Sequence, residues 1–266
     1  MADIFDKPSK SADLKSQIHY ARYGRALNFK KINFILQFVL SILVFETILF
    51  KYINSITYYI AIFASYFIKQ PHLDSEKFLN FHIFYTYSVS QIPKTNFCII
   101  LIIISIIFIL FLYKQKFIIK LFSMWLILFF MLILLSSIYF LLFGKYFPYA
   151  IKDFSILYIK LQIGIFVMIP IIIGLPLALF SFNYKIIMLN IVTMIIALIY
   201  SILFGSIRYA LFLFILSKYS VLWMSSMFFL FGPLMDFTYI VAIFSLYVSL
   251  VSKAYNKSLS IWRWVA

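Results

Sequence analysis

The chain has 266 residues, of which 65% are hydrophobic and 12% are charged, and its mean hydropathy is +1.05. A water-soluble fold of this length could not cover its surface with so few polar residues, so the composition excludes an ordinary soluble domain and indicates a protein embedded in lipid. The formal net charge is +15. The basic residues are spread between the apolar segments, which is typical of the positive-inside rule and not of nucleic-acid binding.

Residues 1–31 form a basic N-terminal arm. The arm contains three aspartates and seven basic residues, Lys7, Lys10, Lys15, Arg22, Arg25, Lys30 and Lys31. This excess of positive charge predicts a cytoplasmic N-terminus. Apolar residues also recur at helical spacing, at Leu14, Ile18 and Ala21. Residues 11–31 could therefore form an amphipathic helix on anionic lipid headgroups, and the alternative is a partly ordered polar tail.

The first apolar segment covers residues 32–50, and a second one, 52–68, follows Lys51. The lysine-rich joint at residues 114–120 is predicted to be cytoplasmic, like the N-terminus, and one span (97–113) leads to it. Only one further crossing therefore fits between residues 32 and 68. We therefore expect one long helix whose second part lies at the outer interface.

Glu46 interrupts the first apolar segment. Fourteen charge-free residues precede it within that segment, which favours a solvated position near the outer interface. The alternative is a buried carboxylate that is paired with Asn33, Gln37 or another helix.

Residues 69–96 form the longest polar connection and are the best candidate for an extramembrane feature. Four of its side chains, His72, Asp74, Glu76 and His82, could in principle surround a metal ion. Scattered polar residues in a loop are the simpler interpretation. We therefore expect no metal site and no cofactor.

Residues 97–113 and 121–143 are apolar stretches suited to membrane-spanning helices. The joint between them, residues 114–120, contains three lysines, which predicts that it is cytoplasmic. An outer connection, residues 144–160, then leads to the next span, residues 161–182.

The span 161–182 contains Pro170, Gly174 and Pro176. Each proline removes a backbone donor, so this pair should bend or break the helix. Broken helices build substrate sites in transporters, although a plain kink is the simpler interpretation.

Residues 186–207 form a further span, and residues 209–252 are long enough for two crossings that meet near Gly232 and Pro233. The sequence therefore predicts an all-α bundle of about seven transmembrane helices, with six to eight as the range and no sizeable soluble domain. Seven spans would leave the tail, residues 253–266, outside, although its basic residues favour the cytoplasm. Six spans with a re-entrant segment are the alternative.

Arg208 follows the span 186–207, and two placements are open. If the helix ends there, Arg208 lies at an interface, where an arginine is solvated. If the helix continues to Lys218, Arg208 lies inside the bilayer and needs a partner, for which Asp236 is the natural candidate. Arg208, Asp236 and Glu46 are therefore the candidate intramembrane polar residues.

The C-terminal part of the chain resembles the layout of exosortase and archaeosortase membrane transpeptidases. It has a bent span at 161–182, the segment 206–209 (SIRY) that contains Arg208, and a closing pair of apolar helices. That family requires a cysteine upstream of the arginine and a histidine downstream. Here residues 171–176 contain no cysteine and no histidine follows His82, so the resemblance implies at most a degenerate exosortase-like protein without transpeptidase chemistry.

No catalytic or nucleotide-binding motif is complete in this sequence. Its single cysteine is Cys98, and all three histidines precede that position, so we do not expect an enzyme. Small connections and few intramembrane polar residues in the membrane domain, residues 32–252, predict a non-catalytic subunit or scaffold of a larger membrane assembly, with lipid and other membrane subunits as partners. The alternative is a small permease, which the prolines and an Arg208–Asp236 pair would favour.

Overall fold

The computed structural model describes residues 24–27, 31–89, 91–115, 120–180, 184–255 and 262–265. The α-helices in this part of the chain are α1 (Lys31–Ser65), α2 (Thr95–Lys114), α3 (Lys120–Phe143), α4 (Ile151–Leu179), α5 (Tyr184–Lys218), α6 (Met224–Leu230) and α7 (Pro233–Tyr255). The strands are β1 (Gly24–Leu27), β2 (His72–Phe78), β3 (Phe81–Tyr87) and β4 (Trp262–Val265). Among the described residues, 6 helical segments are long and apolar enough to cross a membrane, the last of which combines α6 and α7. The predicted all-α transmembrane bundle is confirmed, with six candidate spans in place of seven.

The count is six because α5 does not end before Arg208. It continues to Lys218 as one helix of 35 residues and so contains part of the segment that was expected to form a separate crossing. The helix α1 also has 35 residues without a break, as expected for one crossing between residues 32 and 68. At about 1.5 Å per residue, both helices extend well beyond a hydrocarbon layer of about 30 Å.

Lipid explains why strand-prone residues form helices here. The helix α2 contains the run Ile-Ile-Leu-Ile-Ile-Ile, and β-branched residues of this kind are enriched in strands of soluble proteins. In hydrocarbon, every backbone N–H and C=O needs a partner within the protein, and a single helix provides all of these partners itself. The helical state is therefore favoured in spite of the side chains.

The helices α4 and α5 form the centre of the bundle. They pack against each other, both contact α1 and α7, and they are the most buried of the candidate spans. In contrast, α2 packs mainly against α3, and α3 reaches the rest of the bundle through α6 and the turn before it. The centre is therefore lined by α4 and α5, and the α2–α3 pair lies at the flank.

The polar connection 69–96 contains a β-hairpin, which the sequence did not predict. The strands β2 and β3 pair antiparallel along their whole length. Their two-residue turn places Leu79 at φ 55°, a left-handed conformation that a leucine adopts only with strain. The aromatic strand β3 buries Ile83 and Tyr85, whereas the charged strand β2 is mostly exposed. Packing of β3 thus compensates for the low strand propensity of β2.

Three helices hold the hairpin at one end of the bundle. The Tyr209 hydroxyl of α5 accepts from the Thr86 N–H at 3.1 Å and donates to the Thr86 carbonyl at 3.0 Å. Ser155 of α4 donates to the same carbonyl at 2.7 Å. Thr57 of α1 accepts from the Phe84 N–H at 3.4 Å. The hairpin is therefore a packed element of the fold.

Two ion pairs join the outer strand to α4. Lys152 Nζ lies 3.0 Å from Asp74 Oδ2, and Lys160 Nζ lies 2.9 Å from Glu76 Oε1. The hydrogen bond from Lys152, followed by those from a backbone N–H and from the Tyr85 hydroxyl, lowers the pKa of Asp74. Burial, followed by the hydrogen bond to Asp74, raises the pKa of Tyr85.

Docking of the hairpin is expected to weaken in acid. Because the pKa of Asp74 is lowered in the folded protein, its contribution to stability is complete above the ordinary carboxyl pKa of about 3.9 and is lost as the pH falls through the lowered value. The protection of the β2 and β3 amides against hydrogen exchange, relative to their intrinsic exchange rates, should therefore fall below about pH 4 more in the wild type than in Asp74→Asn. An equal response of the two proteins would exclude Asp74 as the cause.

The connections divide between the two ends of the bundle. Successive spans run antiparallel, so the hairpin and residues 144–150 lie at one end, and the C-termini of α2 and α4 lie at the other. The strands β1 and β4 pair antiparallel, with Gly24 opposite Val265, which places both at the same end. Six spans thus remove the conflict that seven spans created for the basic tail.

The amphipathic helix expected over residues 11–31 lies mostly outside the described residues. Within it, Gly24–Leu27 is a strand that pairs with β4, so a helix over these four residues is wrong. The reason is tertiary, because the distant end of the chain supplies the backbone partners that a strand requires.

Candidate functional site

Arg208 and Asp236 meet in the interior of the bundle. Arg208 Nη2 lies 2.8 Å from Asp236 Oδ2, and the two residues are 5% and 3% exposed. Of the two placements that the sequence left open for Arg208, the buried one is found, because α5 continues to Lys218. Asp236 lies in the first turn of α7, where the positive end of the helix dipole favours a carboxylate.

Every N–H of the Arg208 guanidinium has an acceptor. The acceptors are the Tyr158 hydroxyl at 2.8 Å from Nε, the carbonyls of Phe231 and Gly232 at 2.9 and 3.0 Å from Nη1, and Gln162 Oε1 and Asp236 Oδ2 at 2.9 and 2.8 Å from Nη2. A guanidinium carries five N–H donors, so all of them are used inside the protein. We call Arg208 and these acceptors the Arg208 cluster.

The two carbonyls in the Arg208 cluster belong to the break between α6 and α7. The helix α6 ends at Leu230 and α7 begins at Pro233, and the last carbonyls of a helix have no partner within it. Arg208 supplies donors at this point and also places a positive charge at the negative end of the α6 dipole. One arginine therefore joins α5 to both parts of the last span.

Further hydrogen bonds hold the side chains around Arg208. The Tyr158 hydroxyl donates to the Gly205 carbonyl at 3.1 Å, and the Tyr239 hydroxyl donates to Ser201 Oγ at 2.7 Å. The guanidinium carbon of Arg208 also lies 5.5 Å from the centre of the Tyr158 ring, within cation–π range. Three helices, α4, α5 and α7, thus fix the geometry of the cluster.

Gly205 leaves open the space that Gln162 occupies. A Cβ at position 205 would lie 2.5 Å from Gln162 Nε2 and 2.7 Å from Gln162 Cδ, closer than van der Waals contact allows. Sequence reasoning missed Tyr158 and Gln162 as members of the cluster. The one available signal was the presence of two polar side chains one turn apart in an apolar helix.

Glu46 does not join the Arg208 cluster. It lies half-buried on α1, and the described residues give it neither a hydrogen bond nor an ion pair. The suggested pairings with Asn33 and Gln37 are therefore not found among the described residues.

The helix α4 is not interrupted at Pro170 and Pro176, so the broken helix that the sequence left open beside a plain kink is not found. The helix α4 continues through both prolines and ends at Leu179, because packed neighbours stabilise a membrane helix that contains proline. Gly174 lies at a close helix contact, where a Cβ would be 3.1 Å from Met194 Cε. Its small size lets α4 and α5 approach each other.

A second buried hydrogen-bond network lies near the opposite end of α4. The Asn190 side chain of α5 donates to the Leu177 carbonyl at 2.9 Å. Its Oδ1 accepts from the Tyr247 hydroxyl of α7 at 2.6 Å. Asn190 thus adds a second donor to a carbonyl in the last turn of α4, which also accepts from the Phe180 N–H at 3.1 Å.

The polar residues of the hairpin do not form one cluster. His72, Asp74 and Glu76 alternate onto one face of the hairpin, whereas His82 is paired with Lys77 on the other face, because successive strand residues point to opposite sides. The described part of the chain contains no group of three or more potential metal ligands.

An apolar groove of about 890 Å³ lies between α3, α4 and α6. Leucine and phenylalanine side chains form most of its walls, among them Leu132, Leu135, Leu157, Phe228 and Phe229. Its polar residues include Asp153 and Lys160 of α4, and the Oγ atoms of Ser136 and Ser225 lie 2.5 Å apart where α3 meets α6. We call this cavity the α3–α4 groove.

The comparisons with known proteins identify no relatives. No protein-family model matches this chain, and no match was found among the curated proteins or the solved structures. The resemblance to exosortases thus remains one of layout, with Arg208 as its single matching residue.

Proposed function

We propose that this protein is a non-catalytic subunit of a membrane assembly, in which the α3–α4 groove receives an apolar helix of a partner subunit. The observation that carries the proposal is the contrast between this groove and the Arg208 cluster. The groove is large, apolar and at the flank, whereas the charged groups at the centre are bound to one another.

The Arg208 cluster supports a structural role. Substrate sites in membrane transporters present convergent polar groups to a cavity, but all five donors of Arg208 have protein acceptors. Asn190 and Tyr209 are likewise engaged in bonds between elements of the fold. These polar groups hold helices and the hairpin together.

The shape of the α3–α4 groove favours a helix as its occupant. Its walls extend from Leu132 to Phe140 on α3 and from Asp153 to Lys160 on α4, about two turns of each helix. Small residues at its floor, Ser136 and Ser225, are of the kind that allow close helix packing in membranes. Its charged residues, Asp153 and Lys160, already have partners in Ala150 and Glu76, so the groove offers an incoming helix mainly apolar surface.

Site-specific photocross-linking in cells tests this proposal. A photoreactive residue at Leu135, in the groove and 58% exposed, should cross-link to a transmembrane segment of one identified protein. The same residue at Leu141, on the opposite face of α3 and 38% exposed, should not. Filling the groove with Ser225→Phe should remove the product. Cross-links to lipid alone, or equal products from both positions, would contradict the proposal.

We further propose that both chain termini are cytoplasmic. Basic residues without acidic neighbours lie at that end, in 114–120, at Lys185 and at Lys253, whereas lysines at the hairpin end are partly paired with acids. The positive-inside rule therefore assigns the hairpin end to the outside.

Cysteine labelling of intact cells tests this orientation in a Cys98→Ser background. A membrane-impermeant maleimide should label Lys145→Cys, which is an exposed position at the hairpin end. It should label Lys116→Cys only after the membrane is permeabilised. The reverse pattern would invert the topology.

A small permease is the second candidate. It is favoured by the break between α6 and α7 and by Asp236 Oδ1, which is buried and receives no hydrogen bond from the described residues. A permease of this kind, reconstituted in proteoliposomes, would let protons enter when the outside is made acidic, and the lumenal pH would fall. Asp236→Asn would abolish this fall in lumenal pH without loss of folded protein. Loss of folded protein in that variant assigns Asp236 to structure.

A further inference from the structure

A second large cavity lies at the hairpin end of the bundle. Its volume is about 770 Å³, and it is bounded by the end of α5, the segment after α1 and the segment after β3. The residues that matter chemically are Lys69, Gln70, Ser88, Gln91 and Lys218. The α3–α4 groove and the Arg208 cluster share none of these residues.

Positive charge dominates this cavity. Lys69 and Lys218 both line it, and none of the described residues in its lining is acidic. The acids of the hairpin, Asp74 and Glu76, are bound to other lysines, and the described residues give Lys69 and Lys218 no ion pair. Gln70 and Gln91 add side-chain amide donors. The lining is therefore suited to an anion with several acceptor oxygens.

The position of the cavity adds an apolar component. Phe67 follows the end of α1, and Phe214 lies on the last turn but one of α5; both line the cavity beside the lysines. Charge next to aromatic surface at the end of two long helices corresponds to the boundary between headgroups and hydrocarbon. A headgroup and the first part of its chains would match this combination.

We propose that this cavity binds a phosphate group, with Lys69 and Lys218 neutralising its charge and the side-chain amides of Gln70 and Gln91 donating to its oxygens. The phosphate belongs either to a lipid headgroup or to a free anion. The proposal is independent of the partner helix in the α3–α4 groove.

Native mass spectrometry of the purified full-length protein provides the test. Dihexanoyl phosphatidylglycerol is titrated against the wild type, Lys69→Gln/Lys218→Gln, and a control, Lys77→Gln/Lys145→Gln, which removes the same charge from exposed positions at the same end. The cavity variant should bind about tenfold more weakly or worse, and the control should bind like the wild type. Equal binding by all three proteins, or an equal loss in both variants, would overturn the site.

Melting temperatures without lipid separate ligand binding from folding. Because Lys69 and Lys218 are exposed, their replacement should leave the melting temperature unchanged while lipid binding weakens. Competition by inorganic phosphate, with chloride at equal ionic strength as the reference, then identifies the source. If inorganic phosphate displaces the bound lipid, the site also accepts free anions. If the lipid stays bound, the site is specific for lipid.

Discussion

Replacing Arg208 by alanine is expected to lower the free energy of unfolding by about 3–5 kcal/mol. The variant leaves the Asp236 carboxylate buried without its cation, and it also removes the donors of the Phe231 and Gly232 carbonyls. Both losses occur in an interior where unpaired polar groups are costly. Arg208→Ala should therefore be among the most destabilising single changes in the chain.

Asp236→Ala should lower the free energy of unfolding by less than Arg208→Ala does. After this change Arg208 keeps four of its acceptors, on Tyr158, Gln162, Phe231 and Gly232, and loses only the countercharge. The double variant has no unpaired charge, so its loss should be smaller than the sum of the two single losses. The recovery should be partial, because the carbonyls at the α6–α7 break still lack a donor.

Unfolding in mixed micelles with increasing SDS measures these differences. Glu46→Gln is the control, since it removes a carboxylate that lies half-buried on a span and has no ion pair in the described part of the chain. The free energy of unfolding of that variant should lie within about 0.5 kcal/mol of the wild-type value. Strictly additive losses for Arg208 and Asp236 would show that the pair does not act as a unit.

Gly232→Ala is expected to destabilise the protein by about 3 kcal/mol. A Cβ at Gly232 would overlap the backbone carbonyl oxygen of Phe228, and a backbone atom cannot move aside as the end of a side chain can. The turn between α6 and α7 would have to shift, and its carbonyls would leave Arg208 Nη1. The effect should therefore include part of the loss seen in Arg208→Ala.

Gly164→Ala is the control for this change. It lies on α4, and a Cβ there would meet nothing within 4 Å, so the variant should be neutral or up to about 1 kcal/mol more stable through helix propensity. Melting temperatures in one detergent would compare the two proteins. If Gly232→Ala and Gly164→Ala have the same melting temperature, the tight turn is not required for stability.

Arg208 and Asp236 could be singled out from the sequence because an ionisable residue between long apolar runs needs an explanation. Tyr158, Gln162 and Gly205 could not. Whether Gln162 faces Arg208 depends on the rotation of α4 about its axis and on the absence of a side chain at Gly205. Neither property follows from hydropathy, which reports how apolar a segment is and not which neighbour it faces.

The prolines of α4 show the same limit. Local chemistry predicted a bend or a break at Pro170 and Pro176, since each lacks a backbone donor, and it could not decide between the two. The helix continues because packed neighbouring helices stabilise it.

The sequence by itself determined that this protein is a bundle of membrane helices, because long apolar runs in lipid have no other way to satisfy their backbone groups. Only the tertiary structure decided that α5 continues past Arg208, that residues 72–87 form a hairpin, and that β1 pairs with β4. The physical reason is that each of these depends on contacts between residues far apart in the chain. Tyr209 holds Thr86 across 123 positions, and such a contact has no signature in either local segment.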